Sequence, residues 1–83
     1  MIANEKIVEM IKYILSKQGK MVDDIKMEST LRDINFRSLD FAELCLRIEE
    51  ETGRELNFEG IQFRAIVTVG DVCEFIQKAI ENK

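Results

Sequence analysis

Apolar side chains recur at three- and four-residue steps in three separate stretches of this chain, and nowhere do β-branched and polar residues alternate for the length of a strand. With no proline anywhere in the sequence, this periodicity predicts helices as the regular structure. The expected class is all-α: a small four-helix bundle of three main helices plus a short third one, with a long loop between helices 1 and 2. The 83 residues suffice for one domain spanning 1–83, and a chain of that size buries about 60 to 65 percent of its unfolded surface.

The first stripe, Ile7, Val8, Ile11, Ile14 and Leu15, predicts a helix from Asn4 to Gln18 with Glu9, Lys12 and Lys17 on its polar face. Asn4 is its expected N-cap, Glu5 suits the positive end of the dipole, and Gly19 can stop it. From Lys20 to Arg37 no period is sustained, yet Val22, Ile25, Met27, Leu31, Ile34 and Phe36 are spread along the segment. Structureless loops of that length are uncommon in compact domains unless functional or pinned, so these six are expected to pin it to the core.

The second helix should begin at Ser38 and end near Thr52 and Gly53, where glycine offers a left-handed cap. At 100 degrees per residue, Phe41, Leu44, Cys45, Ile48 and Thr52 share one arc, while Asp40, Glu43, Arg47, Glu50 and Glu51 share the opposite one. Leu39 and Leu46 lie on a flank outside the core arc. An apolar pair rimmed by Glu43 and Glu50 is a candidate docking edge, or it packs under the long loop. A short helix over 57–65 would turn Phe58, Ile61 and Phe63 inward. The last helix opens on Thr68 and Asp71 as a capping box with a shorter acid, with Val69, Val72, Cys73, Ile76, Ala79 and Ile80 as its stripe.

Composition excludes several functions. There is no histidine, and the two cysteines, Cys45 and Cys73, have no metal-ligand spacing, so no metal site is expected and Cys-His nucleophiles are excluded. Both cysteines are expected to be buried thiols. The clusters Asp23-Asp24 and Glu49-Glu50-Glu51 are sequence neighbours that point in different directions, so they do not build an acid-base pair, and "DDIKMEST" lacks the alternating acids and central glycine of a calcium loop. Residues 1–37 carry seven basic and six acidic side chains and 38–83 carry five and ten, so the net charge of -4 sits in the second half. That half repels phosphate backbones, and nucleic acid is not an expected partner. No apolar run reaches bilayer length and the N-terminus lacks a signal-peptide core, which predicts a cytoplasmic protein with no membrane insertion, and the expected state is a monomer.

Ser38, in "NFRSLD", has two readings. As an N-cap, its oxygen accepts a backbone N–H and contributes about 1 kcal/mol. As a nucleophile it has no local base, so any chemistry there must come from another protein. The stretch "DINFRSLDFAELCLRIEEETGREL" resembles the second-helix signature of discrete acyl carrier proteins, with Ser38, Leu39, Asp40, Glu43 and Leu44 matching S-L-D-x-x-E-L. Upstream "VDDIKMESTLRDI" and downstream "IVTVGDVCEFI" are similar to the family's loop and final helix, so the resemblance covers nearly the whole chain.

The resemblance implies a carrier and not an enzyme. A 4'-phosphopantetheine arm from coenzyme A would be attached to Ser38 by a phosphopantetheinyl transferase. Acyl groups would ride on it as thioesters, presented to loading, condensing or transferring enzymes of fatty acid, polyketide or related lipid biosynthesis. It further implies partner binding through Arg37, Leu39, Asp40, Glu43, Leu46, Arg47 and Glu50, and an acyl pocket lined by Phe41, Leu44, Ile48, Phe63 and Ile66, residues that ordinary core packing explains equally well. Two departures stand out. Where typical members have glycine and aspartate, three residues and one residue before the serine, this chain has Asn35 and Arg37. Asparagine tolerates a left-handed backbone, but the arginine reverses charge beside the attachment site, which implies a specialised carrier. Arg37 and Arg47 also fit as surface arginines paired with Asp33, Asp40 or Glu43. The alternative is a helical protein-interaction adaptor with Ser38 as an unmodified N-cap.

Overall fold

The computed structural model of the chain describes residues 2–20, 24–56 and 65–81. Among them are three helices, α1 (Asn4–Lys17), α2 (Ser38–Thr52) and α3 (Val69–Glu81), and no strand. The sole extended pairing among the described residues is an isolated antiparallel bridge between Thr30 and Thr68.

Each helix buries the stripe expected of it except at Thr52, which is half-buried and donates its hydroxyl to Ile48 O at 2.8 Å. Ile7, Ile11, Ile14 and Leu15 of α1, Phe41, Leu44, Cys45 and Ile48 of α2, and Val69, Val72, Cys73, Ile76 and Ile80 of α3 meet in one core, with Val8 and Ala79 packed at its margin. Complete burial of an isoleucine or leucine contributes roughly 1.5–3 kcal/mol, so the three stripes are the main reason the helices stay together. Cys45 and Cys73 are free buried thiols within that core. Desolvation, with the charge of Glu49 added, pushes the Cys45 thiol up to about 12, and desolvation with Glu5 pushes Cys73 up to about 11. Both are held in the unreactive form.

The helix stops follow the glycines. Gly19 has φ +76°, Gly19 N–H donates to Ser16 O and Lys20 N–H to Leu15 O, which closes α1 in a Schellman turn. Gly53, at φ +73°, closes α2 with its N–H on Glu49 O. The N-terminus of α1 departs from expectation. Ala3 occupies the N-cap position and Asn4 is the first helical residue, its side-chain oxygen accepting instead from Gln77 Nε2 of α3 at 3.0 Å. A tie between helices has displaced the local cap.

Between α1 and α2 the chain is pinned by Ile25, Leu31, Ile34 and Phe36, all buried. Met27, expected to join them, is 40% exposed. Its role lies in the backbone: Met27 O accepts from Gly70 N–H at 2.8 Å and Ser29 O accepts from Val69 N–H at 2.9 Å, so this segment supplies acceptors for the first turn of α3. A Cβ on Gly70 would come within 3.2 Å of Met27 O, which explains the glycine there. Val22 lies outside the described residues, as does the expected short helix over 57–65 with Phe58, Ile61 and Phe63, apart from Ala65.

Candidate functional site

The segment entering α2 sets the geometry around Ser38. Asn35 adopts φ +62° and is the sole non-glycine residue with positive φ among the described residues. It reverses the chain so that Phe36 turns into the core while Arg37 extends into the helix start. Lys20 Nζ donates to Asn35 O at 2.7 Å and fixes the turn from α1's end.

Arg37 is the N-cap residue of α2 and Ser38 is the first residue of the helix, so the expectation that Ser38 caps it is corrected. No side chain caps α2, and Asp40 supplies one half of a capping box, its Oδ2 accepting Arg37 N–H at 2.9 Å. An arginine side chain offers no acceptor, so the reciprocal half of a capping box has no counterpart. Ser38 is exposed, and its hydroxyl forms no hydrogen bond with any described residue.

Asp40 is itself a correction. Assigned by periodicity to the polar arc, it is 5% exposed. Its Oδ1 accepts from Gln18 Nε2 at 2.5 Å and its Oδ2 faces Lys20 Nζ at 3.4 Å, in addition to the Arg37 bond. Burial pushes its carboxyl up, but the Arg37 N–H, Gln18 and the Lys20 charge outweigh that and hold it below the ordinary carboxylate value. A buried carboxylate with three donors fastens the start of α2 to the end of α1.

Further along α2, Leu39 is 83% exposed and Leu46 is 55% exposed, so neither packs under a loop of the described chain. Glu43 is bonded from two sides: Lys17 Nζ at 2.6 Å and Arg47 at 3.0 Å. The Lys17 bond, with Arg47 adding to it, lowers the Glu43 carboxyl from its usual value. Arg47 also lies 4.8 Å and Lys17 5.5 Å from the centre of the Tyr13 ring. Sequence reasoning missed this cluster, although the i,i+4 spacings Tyr13-Lys17 and Glu43-Arg47 marked its two halves. Glu50 is exposed. Arg47 is thus paired as one of its two readings had it, whereas Arg37 has no ion pair with any described residue, its Nε reaching only Asn35 Oδ1 at 3.4 Å.

A surface cleft of about 670 Å³ opens beside Ser38, lined by Thr30, Leu31, Arg32, Phe36, Arg37, Ser38, Ile66 and Val67. Of the five expected acyl-pocket residues, only Ile66 lines it. Phe41, Leu44 and Ile48 lie in the helical core, and Phe63 is outside the described residues. No helix of the described residues is long and apolar enough to cross a membrane.

Fold and site together define a small helical module that displays a serine at a helix start, with no base among the described residues bonded to it. Comparison with named proteins gives the family. The chain is 37% identical over 81 residues to an acyl carrier protein of Coprothermobacter proteolyticus, covering 95% of this chain and 96% of that relative. It is 33% identical over 66 residues to an acyl carrier protein of Chlamydia trachomatis, covering 78% of this chain and 83% of the other. It is 35% identical over 83 residues to chloroplastic acyl carrier protein 1 of Casuarina glauca, of which it spans 60%. The chain belongs to the acyl carrier protein family, whose members are carriers and not enzymes. No family model and no solved structure matches it.

Proposed function

We propose that Ser38 is the attachment site of a 4'-phosphopantetheine arm and that the chain carries acyl groups on it as thioesters between enzymes of fatty acid, polyketide or related lipid synthesis. The observation that carries this reading is the exposed Ser38 at position N1 of α2, with Arg37 in the N-cap position in its place. In the modification, Ser38 Oγ bonds to phosphorus, the pyrophosphate bond of coenzyme A breaks and its adenosine bisphosphate half leaves. The hydroxyl proton passes to a base on the transferase. The phosphate remains at the N-terminus of a helix, where the dipole and first-turn N–H groups favour an anion. The distal thiol of the arm supplies the thioester chemistry.

The docking edge in this reading is Leu39 and Leu46, with Arg37, Arg47 and Glu50 beside them, which combines apolar burial with electrostatic steering. Glu43 contributes through a partner only after exchanging Lys17 or Arg47, and the buried Asp40 positions the helix instead of touching the partner. An acyl chain entering past Ile66 would have to part the packing of Phe41, Leu44 and Ile48, with Phe63 of the proposed short third helix as a further lining residue. The domain spans 1–83 as a four-helix bundle with a long first loop, monomeric and cytoplasmic, serving a specialised pathway.

Intact mass after incubation with coenzyme A and a broad-specificity phosphopantetheinyl transferase tests this. The wild type should gain one arm and Ser38→Ala none; no gain, or one that survives the substitution, overturns the assignment.

A further inference from the structure

The cleft beside Ser38 carries two guanidinium groups that nothing in the described chain neutralises. Arg32 and Arg37 both line it and both are exposed. The ion pairs among the described residues join Lys17 and Arg47 to Glu43, Lys20 to Asp40, Lys26 to Asp24 and Lys78 to Glu74, and neither Arg32 nor Arg37 takes part. The nearest acid on α2, Asp40, is buried and already holds Gln18, Lys20 and the Arg37 backbone. These two positive charges beside Ser38 belong to a chain of net charge -4. The cleft also has an apolar lining, from Leu31, Phe36, Ile66 and Val67.

We propose that Arg32 and Arg37 form a clamp for the phosphodiester that joins the arm to Ser38, with the amide-rich remainder of the arm lying along the apolar lining. The inference rests on Ser38 being the attachment site. A phosphodiester keeps one full negative charge at neutral pH, and a guanidinium offers it paired donors in a fixed fork, the strongest geometry available to a side chain for such a group. The N–H groups of the first turn of α2 face the same anion. Arg37 is anchored on the backbone side by Asp40 and loosely by Asn35 Oδ1, which leaves its terminal nitrogens free to turn toward the cleft. The clamp would hold the arm against its carrier between encounters, and salt would loosen it.

The test compares thermal midpoints of apo and fully modified protein, for the wild type and for the Arg32→Gln/Arg37→Gln double variant. Enough transferase is used to bring both to complete modification, verified by intact mass. A clamp predicts that modification raises the wild-type midpoint by about 4 °C or more, and that most of this rise disappears in high salt and in the double variant. Equal rises in wild type and double variant, or no rise in the wild type, overturn it. A third arm adds free coenzyme A to Ser38→Ala: an arginine-dependent rise as large as that of the modified wild type would overturn assignment to the tethered phosphate. Failure of the attachment reading shows separately, as absence of any mass gain in the wild type.

Discussion

At the start of α3, Thr68 Oγ1 accepts Asp71 N–H at 3.1 Å while Asp71 Oδ2 accepts Thr68 N–H at 3.1 Å and Val67 N–H at 3.0 Å. At the start of α2 the acid is in the same place, three residues into the helix, but the residue it pairs with is Arg37, and the hydroxyl stands one position further on, at Ser38. One residue of register separates a threonine whose oxygen is engaged in structure from a serine whose oxygen faces solvent. The two acids differ as well: Asp71 is half-buried, whereas Asp40 is buried and reaches across to Gln18 and Lys20. The α3 start closes its capping box with its own residues, and the carbonyls of Met27 and Ser29 take the N–H groups of Gly70 and Val69. The α2 start borrows its support from α1 and so leaves its own hydroxyl available.

The sharpest way to break that comparison is to remove the borrowed support. Asp40→Asn should destabilise the fold by about 1–3 kcal/mol in urea unfolding at neutral pH, since it takes the charge from a buried acceptor with three donors; an unchanged midpoint would mean α2 does not depend on it. Because the Asp40 carboxyl is held below its ordinary value, its contribution is present above the unfolded value of about 4 and is lost as pH falls through the lower folded value. The difference between wild type and Asp40→Asn should therefore shrink on acidification below about pH 4; a difference that grows would reverse the sign assigned to this group.

The next effect belongs to α3. Thr68→Ala should cost about 1 kcal/mol, the usual loss for an engaged cap, without altering modification of Ser38. Asn35→Ala should cost a similar amount, roughly 1–2 kcal/mol, because alanine resists the left-handed backbone at this turn. If Asn35→Ala unfolds at the wild-type midpoint, the turn has another conformation open to it. The smallest change in stability is expected for Leu46→Ala, within about 0.5 kcal/mol for an exposed side chain, together with weaker binding to a cognate enzyme. A loss of several kcal/mol would place Leu46 in packing that its exposure denies.

Much of this was legible in the order of residues because it is local. The three stripes, the left-handed stops at Gly19 and Gly53 and the Thr68-Asp71 box each depend on residues within one or two turns of one another. The misreading of Ser38 was local too. Serine before an apolar run is a strong cap signal, but the acid three residues after Arg37 marked the register that won. What periodicity could not deliver is non-local. Asp40 is drawn inward by Gln18 and Lys20, more than a helical length away in sequence, and Asn4 exchanges its capping role for a bond to Gln77. Glu43 and Arg47 were visible as a helical pair, while their junction with Lys17 and Tyr13 exists only once α1 lies beside α2.

The central claim, that Ser38 is free of structural duty and so open to modification, is tested most directly by carrying Ser38→Ala and Thr68→Ala through the same two readings, unfolding midpoint and mass gain with coenzyme A and transferase. The account predicts that Ser38→Ala unfolds with the wild type and gains nothing, while Thr68→Ala unfolds early and gains one arm. A Ser38→Ala variant that loses a cap's worth of stability, or one that still acquires the arm, would contradict it.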